Sequence, residues 1–202
     1  MVLIIKYNAG NIQSVLFALE RIGVKAEVTD DIEKIQNADK VIFPGVGEAS
    51  SAMHYLKERR LDAVIRNLKQ PVLGICLGMQ LMCKYSEENA TDCLGIFEES
   101  VKRFKAQDTR HKEQGTRHKI PQIGWNTIYD LKTGLFNEVA PDSYCYFVHS
   151  YYADLGQHTV ARTDYIQPYS SALQKDNFYG VQFHPEKSAE IGEQILRSFL
   201  AI

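Results

Sequence analysis

Residues 71–85 read PVLGICLGMQLMCKY, and this stretch decides the fold because it joins a strand pattern to a helix pattern at one cysteine. The apolar run PVLGI predicts a buried strand. After it, Leu77, Leu81 and Tyr85 fall on one face of a predicted helix. Cys76 therefore lies at the turn between the two elements, and a strand that leads directly into a helix is the unit of an α/β fold.

The sequence before this turn predicts a mostly parallel sheet covered by helices, because apolar runs alternate with helical periodicities. A helix is predicted to begin at a cap at Asn11 and to end at Gly23. Residues 48–68 are predicted to form one long helix or two short ones. The predicted strands before the turn are VLIIKY at 2–7, VKAEVT at 24–29 and KVIF at 40–43.

The sequence after the turn changes character. Its strand-like runs follow one another closely, which predicts antiparallel or mixed sheet in the C-terminal half. A final helix is predicted to begin near Ser188. Residues 109–119, in which Thr-Arg-His-Lys occurs twice, predict a polar surface loop. The strand-like runs are ESVKRF, QIGWNTIYD, YCYFVHSYYA, HTVARTDY, SALQK and NFYGVQF.

Length and charge restrict the function classes. With 202 residues and 45% hydrophobic side chains, the chain is long enough to bury one core, and we expect a single domain over residues 1–202. A formal net charge of −2 lacks the basic excess that is typical of nucleic-acid or membrane-surface binding. A small-molecule substrate or a protein partner is therefore expected, with no nucleic acid and no membrane.

The N-terminal run and the cysteines restrict the compartment and the cofactors. The apolar run MVLII is cut by Lys6, so it is too short for a signal-peptide core or a membrane span, and a cytoplasmic location is expected. The four cysteines contain no C-x-x-C pair, which argues against a zinc ribbon or a dithiol redox motif. Neither a metal nor a cofactor is expected.

Cys76 lies between two glycines, in the spacing of a nucleophile elbow with sulfur in place of oxygen. A sharp strand-to-helix turn strains the backbone of the nucleophile, and the small residues Gly74 and Gly78 avoid collisions with neighbouring elements. The helix dipole at this position favours a thiolate, the form that attacks carbonyl groups. The alternative is that Cys76 is a small buried hydrophobe, as free cysteines often are.

A base for this cysteine is available in YGVQFHPEKS at 179–188. Pro185 favours an extended conformation for His184, and in an extended segment His184 and Glu186 project from the same face. Glu186 can then hold one imidazole nitrogen while the other nitrogen faces the sulfur. A lone histidine is more often structural, but a histidine beside a carboxylate, in a chain with a cysteine elbow, favours catalysis.

Two backbone segments can supply an oxyanion hole, which needs N–H groups aimed at the developing negative charge. One is the N–H of Leu77 at the start of the predicted helix. The other is the turn Pro44-Gly45-Val46-Gly47, which follows a predicted parallel strand at the sheet edge where α/β folds bind ligands. The alternative for this segment is an ordinary strand-to-helix turn.

Taken in order, FPGVG, GICLGMQ and GVQFHPEKS resemble the motifs of the class I (triad) glutamine amidotransferases, and the resemblance covers essentially the whole chain. It implies a flavodoxin-like three-layer sandwich with a central mostly parallel sheet and additional antiparallel strands in the C-terminal half. Met79 before Gln80 favours the members that serve histidine biosynthesis, because several other branches have histidine there. Three further runs are similar to that branch: KYNAGNIQSV at 6–15, PQIGWN at 121–126 and YFVHSYY at 146–152.

The resemblance implies a role for each matching position. Cys76 would be the nucleophile, His184 the general base and acid, and Glu186 the orienting carboxylate. The residues implied to lie near bound glutamine are Gln80, Tyr146, Ser150 and Tyr151, and those implied to face a partner subunit are Asn11, Trp125 and Lys187. The alternatives are burial for Trp125 and plain solvation for Lys187.

The implied reaction is hydrolysis of L-glutamine to glutamate and ammonia. The implied partner is a (β/α)₈-barrel cyclase, which forms a heterodimer with this subunit and uses the ammonia. Three alternatives stay open: a glutaminase subunit for a different synthase, a stand-alone γ-glutamyl hydrolase, and a catalytically inactive regulatory subunit. Two positions depart from the family pattern and leave the interface open: Lys6, where aspartate is common, and Gln122, where histidine is common.

Overall fold

The computed structural model describes residues 1–8, 11–105 and 119–202. Residues 9–10, and all but the last residue of the predicted loop at 109–119, lie outside the described residues. Within the described ranges, no helix is long and apolar enough to cross a membrane.

Helices and strands alternate in the first part of the chain, and strands predominate afterwards, as the sequence predicts. The helices are α1 (Ile12–Arg21), α2 (Ile32–Asn37), α3 (Ala49–Glu58), α4 (Leu61–Arg66), α5 (Leu77–Met82) and α6 (Ala189–Ala201). The strands are β1 (Val2–Ile5), β2 (Ala26–Thr29), β3 (Lys40–Gly45), β4 (Val72–Cys76), β5 (Tyr85–Ser86), β6 (Thr91–Asp92), β7 (Ser100–Arg103), β8 (Gln122–Ile128), β9 (Ser143–His149), β10 (Tyr151–Ala153), β11 (Thr159–Asp164), β12 (Pro168–Lys175) and β13 (Phe178–Val181).

Five parallel strands form the central part of the sheet, in the order β2-β1-β3-β4-β13. This is the strand order of flavodoxin-like folds. Beyond β13 the pairing is antiparallel through β12 and β10 to β7, and β11 also pairs with β12. Strands β8 and β9 form a separate antiparallel pair. The predicted mostly parallel centre with antiparallel strands in the C-terminal half is confirmed.

The core lies in two halves, one on each face of the parallel sheet. Successive residues of β1 point to opposite faces, so Leu3 and Ile5 pack on one side and Ile4 packs on the other. Helices α2 to α5 cover the first side, and α1 and α6 cover the second. Because helices cover both faces of one sheet, the architecture is the three-layer sandwich that the family resemblance implied.

The helices differ from the sequence predictions in three details. The segment 48–68 forms two short helices, which meet at Arg60 with a left-handed φ of +59°. Helix α2 was not predicted, because its six residues bury only Ile35 and carry little periodicity. Asn11 precedes α1 as predicted, but its Oδ1 accepts from Ser14 Oγ at 2.6 Å and caps no backbone N–H.

The carboxyl ends of the parallel strands bring the predicted site residues together. Gly45 at the end of β3 pairs in register with Cys76 at the end of β4. Strand β13 lies on the other side of β4, and after Val181 the chain leads into the segment that carries His184. Ligands of open α/β sheets bind at this edge, so the strand order itself positions the candidate site.

Candidate active site

Cys76 has a strained backbone at the junction of β4 and α5. Its φ is +54° and its ψ is −109°, a backbone conformation that residues other than glycine rarely adopt. A Cβ on Gly78 would lie 1.8 Å from the carbonyl oxygen of Phe43, and a Cβ on Gly74 would lie 2.8 Å from the backbone nitrogen of Met79. The predicted steric need for small residues on both sides of the cysteine is confirmed.

His184 and Glu186 are in direct contact, although not for the reason that the sequence suggested. His184 Nδ1 is 2.8 Å from Glu186 Oε1, and both side chains are buried. Pro185–Lys187 forms a 3₁₀ turn, so the expected extended segment is wrong beyond His184. The turn curls the carboxylate back to the ring, and Ser188 Oγ fixes the turn by donating to the carbonyl of His184 at 2.7 Å.

The electrostatic surroundings favour a charged imidazole at His184. Burial by itself lowers the pKa of this histidine, but the neighbouring Cys76 and Glu186 raise it to about 10. The effect of these two neighbours outweighs the loss of solvation. The arrangement therefore stabilises an imidazolium at His184.

A cavity of about 290 Å³ opens beside Cys76. The residues that line it include the predicted site residues Val46, Gly47, Cys76, Leu77, Gln80, Ser150, Tyr151, His184 and Lys187, together with Glu88, Val148 and His149. Tyr146 is not among the lining residues, and its place beside the substrate stays a prediction. Its ring packs edge-on against Trp125 across the β8–β9 pair, with centroids 5.8 Å apart.

Gln80 is tied to the cavity wall by its amide nitrogen. Nε2 of Gln80 donates to the carbonyl oxygen of Tyr151 and to Oε1 of Gln182, each at 2.9 Å. Gln182, fully buried, in turn directs its own Nε2 to Cys76 Sγ at 3.6 Å. Sequence reasoning missed Gln182, although its place two residues before His184 puts both on one face of an extended segment.

The turn after β3 lies against a buried tyrosine. Val46 and Gly47 line the cavity, and Gly47 has a φ of +124°. A Cβ on Gly45 would lie only 2.1 Å from the hydroxyl oxygen of Tyr7. That hydroxyl is buried and has no hydrogen-bond partner among the described residues. Tyr7 lies in the run KYNAGNIQSV at 6–15, and no pattern in the sequence predicts its contact with Gly45.

Glu88 is the carboxylate that lines the cavity, and sequence reasoning missed it. It lies in the 3₁₀ turn Glu88–Ala90, and its Oε2 accepts from the backbone nitrogen of Ala49 at 2.7 Å. Burial raises the pKa of this side chain above its usual value. Glu88 and Cys76 are twelve positions apart with no motif between them, so no local pattern identifies the glutamate.

The residues predicted to face a partner lie on elements that contact one another. Trp125 is 52% exposed, which excludes its predicted alternative of burial, and it shares the outer face of the β8–β9 pair with the exposed Ile123 and Tyr144. Lys187 is exposed at the cavity mouth. Asn11 is partly buried at the start of α1, which packs against the turn that contains Lys187.

The described residues contain no cluster of three or more His, Cys, Asp or Glu side chains that could hold a metal ion. All four cysteines are free and buried. Burial raises the pKa of Cys93 and of Cys145 to about 12, so these thiols stay protonated. Cys76, in contrast, lines the same cavity as His184.

A family model described as Glutamine amidotransferase class-I matches residues 3–202. The chain is 58% identical over 201 residues to the imidazole glycerol phosphate synthase subunit HisH of Bacteroides fragilis, with 100% of this chain and 99% of the relative covered. It is 55% identical over 199 residues to the subunit of the same name from Bacteroides thetaiotaomicron, with 98% of each chain covered.

Solved structures also resemble the chain over its whole length. A crystal structure of a glutamine amidotransferase has a TM-score of 0.72 at 18% identity, with 100% of this chain and 98% of that chain covered. The structure of PurLQS from Thermotoga maritima has a TM-score of 0.71 at 16% identity, with 99% and 97% covered. At these identities the likeness shows the fold.

Proposed function

The chain belongs to the glutamine amidotransferase class-I family, and on this premise we propose that it is the glutaminase subunit of imidazole glycerol phosphate synthase. Residues 1–202 act as one domain, which hydrolyses glutamine to glutamate and ammonia. The ammonia passes to a cyclase subunit that makes imidazole glycerol phosphate and aminoimidazole carboxamide ribotide in histidine biosynthesis. The observation that carries the proposal is the full-length identity of 58% to a protein named as that subunit.

Cys76 begins the reaction as a thiolate. Its sulfur attacks the side-chain carbonyl carbon of glutamine and forms a tetrahedral oxyanion. Nδ1 of His184 is held by Glu186, so the proton on Nε2 is the one given to the departing nitrogen. The C–N bond breaks, ammonia leaves, and a γ-glutamyl thioester remains on the cysteine.

Water completes the reaction. The now neutral His184 takes a proton from a water molecule as its oxygen attacks the thioester carbonyl. The C–S bond then breaks, which releases glutamate and returns Cys76 to the thiolate. Glu186 stays ionised throughout and holds the ring in one orientation.

Leu77 and the turn at 45–47 are the proposed oxyanion donors. Leu77 follows the strained Cys76 and begins α5, where backbone N–H groups have no partner within the helix. Val46 and Gly47 line the same cavity, and Gly47 permits rotation of the peptide before it. Loss of one such donor typically lowers kcat by about 10²–10³-fold.

Three groups of the cavity suit the polar ends of glutamine. Glu88 is the one carboxylate among the described lining residues outside the triad, and we assign it to the α-ammonium group. Gln80 has its nitrogen bound to the protein, so its oxygen is left to accept a hydrogen bond from the substrate. Backbone N–H groups of Ser150 and Tyr151 are assigned to the α-carboxylate.

The proposed partner is the (β/α)₈-barrel cyclase subunit, in a cytoplasmic heterodimer. Ammonia that escapes into water is protonated and loses its nucleophilicity, so a receiving subunit has to cover the cavity. The exposed aromatic and aliphatic side chains of the β8–β9 pair have the composition of an interface core. Trp125, Asn11 and Lys187 are the proposed contacts.

The experiment that tests this function is glutamate release by the purified chain, alone and with the cyclase subunit and its ribulosyl nucleotide. The Cys76→Ala variant is the control. We expect a low rate alone, a strong rise with the loaded cyclase, and no activity in the variant. The rise reflects rotation of the 45–47 turn into the active geometry, so equal rates with and without nucleotide would contradict that switch.

Other outcomes separate the alternatives. Cysteine-dependent activity that does not change when the cyclase is added would indicate a different synthase. Full activity of the isolated chain would indicate a stand-alone hydrolase. If a glutamine-like electrophile fails to label Cys76 in the presence of the loaded cyclase, the chain is a regulatory subunit and the glutaminase proposal is wrong.

A further inference from the structure

A buried histidine outside the proposed triad, His149, lies in the cavity wall. Its Nδ1 is 2.7 Å from the carbonyl oxygen of Tyr151, and its Nε2 is 3.2 Å from the hydroxyl oxygen of Tyr169. That hydroxyl is 3.0 Å from Oε1 of Gln122, the first residue of β8. Gln122 and His149 are also cross-strand partners, so the β8–β9 register places Gln122 beside His149.

The contact with Tyr151 determines which nitrogen of His149 carries hydrogen. A carbonyl oxygen only accepts, so Nδ1 has to be the donor. Burial, with a contribution from nearby His184, lowers the pKa of His149 to about 4, and the ring is therefore neutral at pH 7. A neutral ring with hydrogen on Nδ1 has a lone pair on Nε2, and Tyr169 is the residue that faces it.

Tyr169 has one hydrogen, and Oε1 of Gln122 and Nε2 of His149 both lie within hydrogen-bond distance of its oxygen. The hydroxyl of Thr163, which also contacts Tyr169, donates to the carbonyl of Thr127. Burial raises the pKa of the Tyr169 hydroxyl well above the usual value, so the group is a neutral phenol. If it donates to Oε1 of Gln122, Nε2 of His149 has no donor among the described residues. Nε2 of Gln122 is meanwhile buried without a hydrogen-bond partner in the described part of the chain. Turning the Gln122 amide by 180° gives a partner to both Nε2 atoms, that of Gln122 and that of His149. Gln122 then donates to Tyr169, and Tyr169 donates to His149.

We propose that Gln122 is a positioning residue for glutamine binding, acting through Tyr169 and His149. Its amide donates to the tyrosine, which keeps His149 in the Nδ1–H form that holds the carbonyl of Tyr151. The same carbonyl accepts from Gln80, so the series fixes one wall of the cavity and the direction of the Gln80 amide. Only the effect on glutamine rests on the proposed glutaminase function; the directions of the hydrogen bonds do not.

Two substitutions at position 122 separate hydrogen-bond donation from side-chain shape. A histidine N–H can donate to Tyr169 as the glutamine amide does. A glutamate has nearly the same shape as glutamine but only accepts when ionised. Gln122→His and Gln122→Glu are therefore a matched pair that keeps or removes the donor.

The first test measures the wild-type chain. Side-chain ¹⁵N NMR of the full chain at pH 7, with the signals of His149 assigned by a His149→Gln variant, reports which ring nitrogen is protonated. We expect a neutral ring with hydrogen on Nδ1. A neutral ring with hydrogen on Nε2, or an imidazolium, would overturn the proposal.

The second test compares Gln122→Glu with Gln122→His, and uses Gln36→Glu, an exposed position on α2, as the control. In Gln122→Glu the carboxylate takes the hydrogen of Tyr169, so the ¹⁵N signals of His149 should change. The KM for glutamine should rise about three- to tenfold, the range for one lost hydrogen bond, while kcat changes less than about twofold. Gln122→His and Gln36→Glu should keep the wild-type signals and KM.

The other outcomes of this comparison also support or contradict the role of Gln122. Unchanged signals and KM in Gln122→Glu would overturn the proposal, and changed signals with an unchanged KM would show that the series does not position the substrate wall. If Gln122→Glu does not fold, Tyr169→Phe removes the hydrogen that Nε2 of His149 accepts without adding charge, and it is expected to give the same result. A wild-type chain without glutaminase activity would contradict the proposed function, and the NMR result would still decide the hydrogen-bond directions.

Discussion

Nδ1 of His184 lies 2.8 Å from Oε1 of Glu186, and both side chains are buried beside Cys76. A buried imidazolium is costly unless it has partners of opposite charge. Here the 3₁₀ turn brings the carboxylate of Glu186 to Nδ1, and the elbow places Cys76 in the same cavity as the ring. The charge of this histidine therefore depends on groups from two separate segments of the chain.

The pKa of His184 should fall in Cys76→Ala. The raised pKa of about 10 depends on the charge of the sulfur. When the sulfur is removed, burial, which lowers the pKa, is opposed by Glu186 alone. NMR titration of the ring measures the change, and Cys93→Ala, which removes another buried thiol, is the control. An unchanged pKa in Cys76→Ala would show that the sulfur is not ionised in the folded chain.

The raised pKa of His184 predicts that the stability of the fold depends on pH. The folded pKa of His184 is raised from an unfolded value of about 6.5, so its stabilising contribution is fully present below that value. The contribution is lost as the pH rises through the folded pKa of about 10. Urea unfolding of wild type and His184→Gln between these limits should therefore converge with rising pH, and a constant difference would contradict the raised pKa.

Gly78→Ala should destabilise the fold strongly. The added Cβ would lie 1.8 Å from the carbonyl oxygen of Phe43, and backbone has to move to accommodate it. Overpacking of this kind costs about 1–3 kcal/mol or more in the free energy of unfolding. Gly134→Ala is the matched control, because its nearest neighbour is a side-chain atom at 3.8 Å. Equal urea midpoints for the two variants would contradict the close approach at the elbow.

Tyr7→Phe should stabilise the free chain. A buried hydroxyl without a hydrogen-bond partner is unfavourable by about 1–3 kcal/mol, and the substitution removes only that group. Thermal unfolding measures the gain, with Tyr179→Phe, a buried ring in β13, as the control. Lower stability in Tyr7→Phe would mean that the hydroxyl has a favourable contact in the folded chain.

Glu88→Gln should weaken glutamine binding more than it slows catalysis. A lost ionic hydrogen bond to the α-ammonium group corresponds to roughly 10- to 100-fold in KM, with kcat nearly unchanged. The exposed Glu58→Gln variant removes the same charge elsewhere. If kcat falls and KM does not, Glu88 acts on the chemistry and not on the ammonium group.

Trp125→Ala should weaken binding of the cyclase subunit. Truncation of an aromatic residue at the centre of an interface commonly costs about 2 kcal/mol or more, which is about 30-fold in Kd. Leu155→Ala removes an exposed apolar side chain from another loop and serves as the control.

Lys187→Glu should also weaken binding, and added salt should reduce the difference from wild type. Unchanged Kd values would place the interface elsewhere.

Much of the fold and the centre of the site could be predicted from local patterns. The glycines around Cys76 predict the elbow, because two small residues on either side of a strand-to-helix junction are a local pattern, although the carbonyl that Gly78 approaches belongs to Phe43 in another strand. His184 and Glu186 are two positions apart, so their contact was predictable even though the 3₁₀ turn was not. The alternation of strand and helix patterns likewise predicts a parallel centre, because both periodicities are properties of short segments.

Contacts between distant segments required the tertiary structure. Glu88 reaches the cavity because its 3₁₀ turn packs against the start of α3, and no spacing along the chain encodes that. The register of β8 on β9 places Tyr146 opposite the exposed Trp125 and sets Gln122 beside His149.

The sequence by itself predicted the cysteine elbow, the His184–Glu186 pair and the α/β architecture. Each of these predictions depends on residue types or on side-chain periodicity over a few neighbouring positions, which can be read along the chain. Only the tertiary structure decided which polar groups meet in the cavity wall and which aromatic side chains stay exposed. Those contacts join residues tens of positions apart, and strand order, register and packing all have to be fixed before they exist.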